Sequence, residues 1–181
     1  GKEKVLWRYD PIILSDKYSI DYHKKYFEYL IKELHNYTKK CIISFVDIYK
    51  KIESKIKDIN IKKDDEHIFE LSSFISDIAK YYNITVEACC EDLPNINKSK
   101  CIDEKLISKI VGYNIKAKKD KNQRLNCGCV ESIDIGAYNT CLSDCIYCYA
   151  NNKNNIKNSS VFLEQYKQLS DLYTIKNKEL F

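Results

Sequence analysis

The sequence predicts an α/β protein: a partial (β/α) barrel-like parallel sheet followed by a C-terminal cysteine-rich module. Three observations predict it. Three short apolar runs lie about 40 residues apart, helix-period sequence separates them, and polar or thiol groups cluster just after each run. In parallel α/β architectures that carboxyl edge carries the site. Three such units cannot close a barrel of eight, for which about 250 residues are usual. The chain also contains no methionine and begins almost at once on an apolar run, so the expectation is the back part of a longer protein. Residues 1–115 then supply the βα units, the second half of a barrel-like domain, and residues 116–181 the cysteine-rich module with a C-terminal helix.

Residues 4–8 read as the first buried strand, closed by Tyr9-Asp10-Pro11, because proline cannot donate to the ladder and biases Asp10 away from helix. Over 19–36 the residues Tyr22, Phe27, Leu30, Ile31 and Leu34 recur at helical spacing, with Ser19 or Asp21 available as cap. Residues 41–46 form a second apolar run ending at Asp47, and a lysine-rich helix is expected over 47–58. Ile68, Leu71, Phe74, Ile75 and Ile78 mark a helix over 65–81 behind an acidic first turn. Residues 84–88 are the third strand. A turn at Leu93-Pro94-Asn95, a short helix over 103–111 and a basic, solvated connection at 116–121 follow. A strand over 132–138 leads into the cysteine loop, and an amphipathic helix over 161–173 closes the chain.

Composition narrows the function classes. The longest apolar run is far too short to span a membrane, and charged residues of both signs make up 31% of the chain. A net charge of +4 gives no argument for nucleic acid or an anionic membrane. No signal peptide is visible, so a soluble, cytoplasmic protein is expected. Nine cysteines in a reducing compartment, five of them between Cys127 and Cys148, read better as metal or cluster ligands than as disulfides. No Ser-His-Asp order or phosphate-binding glycine loop is present. His23, His35 and His67 fall in helices away from any cysteine at ligand spacing and are expected at the surface.

The sharpest motif is Cys141-Leu-Ser-Asp-Cys145-Ile-Tyr-Cys148. Three thiolates at spacings of four and three in one loop are what a cubane cluster with one open iron needs. A zinc site normally takes four ligands, and a disulfide would leave an orphan thiol. Four more cysteines, Cys127 and Cys129 upstream, Cys101 before a helix, and Cys89 or Cys90 at the third strand's end, suggest a second centre. This would be an auxiliary iron-sulfur cluster or a structural zinc site; free, reduced cysteine is the alternative, favoured for Cys41 inside its apolar run. Gly128 and Gly136 would admit backbone amides to cluster sulfurs, or serve plain turns. With 28 lysines against two arginines, Arg8 and Arg124 mark places where a planar fork is needed. Each either faces the charge of a thiolate-ligated cluster or forms a salt bridge, to Asp10 or Asp134.

The CxxxCxxC spacing, with Tyr147 just before the last cysteine, resembles the radical S-adenosylmethionine (SAM) enzymes, and Cys145-Ile-Tyr-Cys-Tyr-Ala150 is similar to the loop of spore-photoproduct-lyase-like members. The resemblance implies that Cys141, Cys145 and Cys148 bind a four-iron four-sulfur cluster whose open iron takes the amino and carboxylate groups of SAM. Reductive cleavage then yields a 5′-deoxyadenosyl radical, with flavodoxin or ferredoxin as electron donor. Tyr147, Arg8, Asp10, Arg124 and Asp134 are the candidate cofactor-binding residues. In that superfamily the loop follows the first strand, whereas here only 33 residues follow Cys148. A barrel of that type must therefore be permuted.

A wider match rests on Trp7-Arg-Tyr-Asp-Pro11, Ser44-Phe-Val-Asp47, Cys101-Ile-Asp103, Asn122-Gln-Arg124, Cys127-Gly-Cys129, Asp134-Ile-Gly136 and the loop at 141–151. Together these resemble the latter half of the family known as domain of unknown function 1848. The competing reading is a non-catalytic zinc or iron-sulfur module that folds the tail or passes electrons.

Overall fold

The computed structural model describes residues 1–150 apart from 51, 134, 137, 142 and 144. The helix expected over 161–173 lies outside the described residues. Two compact units are present: Gly1–Asp47 with Lys57–Ile133, and Ile48–Ile56 with the chain beyond Ile133.

The first unit is an α/β layer structure. Strands β1 (Leu6–Ile12), β2 (Lys40–Phe45), β3 (Thr85–Ala88) and β4 (Asn97–Lys98) form one parallel sheet in sequence order. Helix α1 (Ile20–Leu34) crosses from β1 to β2, and α3 (Asp65–Tyr81) from β2 to β3. Two crossovers stepping the same way along the sheet put both helices on one face, where they pack side by side. Each helix starts on an oxygen cap: Ser19 Oγ accepts from Tyr22 N at 3.2 Å, and Asp64 Oδ1 from His67 N at 2.9 Å. Of the two caps expected for α1, Ser19 is the one used, and Asp21 lies in the first turn.

Side chains alternate across the strands, and this alternation sorts the chemistry. Trp7 and Tyr9 of β1, Cys41, Ile43 and Phe45 of β2, and Val86 and Ala88 of β3 join Phe27, Ile31, Leu71 and Ile75 of the helices in one core. Phe27 is wholly buried, stacks on Trp7 at 4.9 Å between ring centroids and meets Tyr9 edge-on at 5.1 Å. The other face carries Arg8, Asp10, Ile42 and Glu87, with Arg8, Ile42 and Glu87 in register across three strands. Lys40 and Glu87 form an ion pair on neighbouring strands at 2.7 Å.

Several expectations are corrected. β1 runs through Pro11 to Ile12, because β1 is an edge strand with donors needed on one side only, and its register with β2 shifts between Tyr9 and Ile12. The helix expected over 47–58 shrinks to α2 (Glu53–Ile56) and a 3₁₀ turn, Lys57–Ile59. Ile48, which would begin its apolar stripe, is half exposed, so the first turn gains no burial to offset its ordering. β4 was not expected at all: Asn-Lys carries no strand propensity, and it pairs only because the turn at 93–96 folds the chain back beside β3. That turn lies where the sequence placed it, with Asn95 in the left-handed region. The described residues of 132–138 form no strand; Ile133 and Ile135 are 89% and 70% exposed, so their alternation meets no face to bury against.

The connection at 116–121 is not wholly solvated: Lys119 bridges Val130 antiparallel, and Asp120 is buried. α4 (Glu104–Val111) sits where expected, capped by Asp103 and closed by Gly112 at φ +83.

His23 is buried, contrary to expectation, because α1 turns its ring inward. It lies 2.8 Å by Nδ1 from Tyr9 Oη and 3.1 Å by Nε2 from Ile13 O. A neutral ring satisfies both, Nε2–H donating to the carbonyl and Nδ1 accepting from the phenol. Burial outweighs the carbonyl's pull and holds the His23 pKa below its ordinary value. The folded state therefore binds this proton less readily than the unfolded chain. Its contribution to stability is full above about pH 6.5 and is lost as pH falls below that. The stability advantage of wild type over His23→Gln should accordingly shrink between pH 7.5 and 5.5, read from urea midpoints. Phe27→Ala should cost about 3–5 kcal/mol in the same assay.

Candidate functional site

The polar face of the sheet ends in thiols. After β3, Cys89 keeps the ladder going through its N–H to Ile43 O at 2.9 Å, and Ser99 N–H reaches Ala88 O at 2.7 Å. These bonds hold the chain ends of β3 and β4 side by side. Cys89 Sγ and Cys101 Sγ lie 3.3 Å apart, and Arg8 Nη1 donates to Cys101 Sγ at 3.0 Å. Arg8 is itself held by Asp10, two residues along the same face, with Nε to Oδ1 at 3.1 Å and Nη2 to Oδ2. Burial opposes the Arg8 charge, but the bonds to Asp10 and Cys101 outweigh it and hold the guanidinium firmly protonated.

Cys90, in the left-handed region at φ +62, places its sulfur 3.9 Å from that of Cys89 and interacts with Cys127. Cys127 sits on a turn closed by its N–H to Arg124 O. Cys129 is buried and accepts from Ile102 N at 3.4 Å, while Val130 N–H returns to Ile102 O. The expected second set is thus only partly brought together: Cys89 meets Cys101, Cys127 meets Cys90, and Cys129 turns to backbone. Gly128 lets this segment lie against Lys100, whose Cγ would stand 3.1 Å from an added Cβ.

The hydrogen bond with Cys101 lowers the Cys89 pKa against burial, and the same bond, with burial, raises that of Cys101. Burial raises Cys90 against the pull of Arg124. Cys41 is wholly buried in the core, and burial pushes its thiol up. None of the nine cysteines is joined in a disulfide.

Arg124 pairs with Asp47, not with Asp134, which lies outside the described residues. Lys63 joins Asp47 at 3.2 Å, an ion that no sequence signal marked. Next to this group Glu91 Oε1 accepts from Phe45 N at 2.9 Å, while its Oε2 is buried without a hydrogen-bond partner. Burial pushes its carboxyl up to about 7.

In the second unit the cysteine loop is closed at its base, where Asn139 N–H bonds to Ala150 O at 3.1 Å. Cys148 N–H bonds to Cys145 O at 2.9 Å, so these two thiols sit at the ends of one turn. The backbone and then the side chain of Ser143 hydrogen-bond Cys141 and lower its pKa. Cys141, Cys145 and Tyr147 are exposed, Cys148 is half-buried, and Tyr149 packs on Tyr49 at 5.7 Å. Among the described residues, no three His, Cys, Asp or Glu side chains are gathered at metal-ligand spacing, and no helix is long and apolar enough to cross a membrane.

These features define an α/β protein whose parallel sheet collects cysteines and paired arginines at its carboxyl edge and which bears a further three-cysteine loop. The chain matches, over residues 1–150, the family model described as Domain of unknown function (DUF1848), and it belongs to that family. Neither the curated proteins nor the solved structures include a match to it.

The Glu91 contact can be weighed directly. Glu91→Ala strips the acceptor from the Phe45 N–H and should cost about 1–3 kcal/mol, whereas Glu91→Gln keeps that acceptor and should cost less. Denaturant unfolding of the two variants checks the order.

Proposed function

We propose that the chain binds a four-iron four-sulfur cluster through Cys141, Cys145 and Cys148 and belongs to a radical SAM-type enzyme. The observation that carries this reading is the closed loop: one backbone bond at its base, Asn139 to Ala150, confines all three thiols to a single short loop. Within it the Cys145–Cys148 turn draws two of them together, and Ser143 supplies donors to the third. Donors of this kind are what thiolate ligands of a cluster use.

The donor set fits the group. Three sulfurs leave one iron open to SAM, and the bound cluster supplies one-electron chemistry that the protein's own side chains cannot. A flavodoxin or ferredoxin would deliver the electron. The chain's own part is to hold the three sulfurs in the loop and to present Tyr147 beside the last of them. The first unit supports a barrel relationship: parallel strands in sequence order, helices on one face and an ion-paired polar face on the other are the pattern of a barrel wall.

Anaerobic reconstitution of the 181-residue chain with iron and sulfide tests the reading. About four irons per chain are expected, with loss of the cluster on changing Cys141, Cys145 or Cys148 to alanine and a SAM-dependent change in the reduced cluster's paramagnetic resonance. Zinc alone, or iron retained by all three alanine variants, overturns the cluster assignment. A cluster indifferent to SAM overturns the enzyme assignment and leaves an electron-transfer module.

A further inference from the structure

We propose that Cys89 and Cys101 form a redox-active dithiol, which closes reversibly to a disulfide at the carboxyl edge of β3 and β4. The inference uses none of the loop cysteines and stands apart from the cluster reading.

Its basis is geometric. The two sulfurs lie 3.3 Å apart, so about 1.3 Å of approach makes a bond of about 2.05 Å. The backbone behind each is anchored by the sheet, Cys89 through Ile43 and the Cys101 segment through Ser99 and Ala88. Closure therefore asks for side-chain rotation, not for strand movement. Arg8, on β1 and clamped by Asp10, donates to Cys101 and holds it beside its partner. The other thiols are placed less well: Cys90 is 3.9 Å away and is the chain neighbour of Cys89, and Cys129 is occupied by Ile102 N.

Cys89 is buried and Cys101 half-buried, so the oxidant must be small, and hydrogen peroxide is the chemical class that fits. The Cys89 sulfur attacks one peroxide oxygen, the O–O bond breaks, and water leaves, giving a sulfenic acid at Cys89. The Cys101 sulfur then attacks Cys89 Sγ, the S–O bond breaks, and a second water leaves with the Cys101 proton. Two thiols lose two electrons and two protons in all, and peroxide becomes two waters. An external dithiol restores the pair by thiol–disulfide exchange.

The test uses the full 181-residue chain, reduced, freed of metal by chelator and treated with stoichiometric peroxide, then alkylated and digested with trypsin. Cleavage after lysine and arginine puts Cys101 in the peptide 101–105 and Cys89 with Cys90 in 81–98, while Cys127, Cys129 and the loop cysteines share 125–153. The expected product links 101–105 to 81–98, forms equally in Cys90→Ser, and is reversed by dithiothreitol. In Cys101→Ser the linked species should fall at least about tenfold and Cys89 should become trappable by dimedone. Circular dichroism reports whether each variant folds, and Arg8→Lys, which leaves both thiols in place, should slow closure. The proposal is overturned if 101–105 stays alkylatable after peroxide, if its link is lost in Cys90→Ser, or if it links to 125–153. It is equally overturned if the pair resists peroxide because it retains zinc or iron through chelation.

Discussion

The parallel pairing of β2 between β1 and β3 is the constraint on which the rest of the first unit depends. With β2 central, Cys41, Ile43 and Phe45 must face the helices, and their neighbours in register are sent the same way. The intervening residues have no choice but the opposite face. Arg8 and Asp10 are two apart on one strand and so share that face, which is why they pair with each other. The same parity carries past the end of β3 to Cys89.

Burial and charge are therefore separated by a two-residue period and not by distance along the chain. The aromatic trio of Trp7, Tyr9 and Phe27 closes the helix side, with ring contacts each worth about 0.5–1.5 kcal/mol beyond their area. On the other side ion pairs take over, and the ends of the strands hand their polar groups to one edge. Asp47 follows β2 and Glu91 follows β3, and Arg124 from the segment after α4 pairs with Asp47 beside them. Glu91 is the costly member of this group, with one carboxylate oxygen bonded to Phe45 N and the other buried without a partner.

The cysteines fall into three physical environments, and their chemistry follows. Cys41 is sealed in the core, where burial suppresses its thiolate. Cys89, Cys90, Cys101 and Cys127 line an edge beside two arginines, with Cys129 buried against Ile102 N, and there the Cys89 thiol is lowered while those of Cys90 and Cys101 are raised. Cys141, Cys145 and Cys148 stand on a loop open to solvent. Membership of the DUF1848 family covers residues 1–150 and so includes all three groups.

Sequence alone determined the elements that carry their own periodicity. α3 was legible from its apolar stripe and acidic first turn, α1 from Ser19 and its stripe, and the class from three apolar runs separated by helices. It also singled out Arg8, Arg124 and the cysteines, because rare residue types stand out in a lysine-rich chain. What it left open was decided by neighbours distant along the chain. β4 exists only because β3 offers an unpaired edge, and Pro11 stays in β1 only because that strand has a free side. His23 goes inside because Tyr9 and a carbonyl wait for its two nitrogens, and the described residues of 132–138 form no strand, with Ile133 and Ile135 left exposed. Which sulfur meets which is of the same kind: spacing groups cysteines by their order, but strand register decides that Cys89 faces Cys101 and that Cys129 turns away.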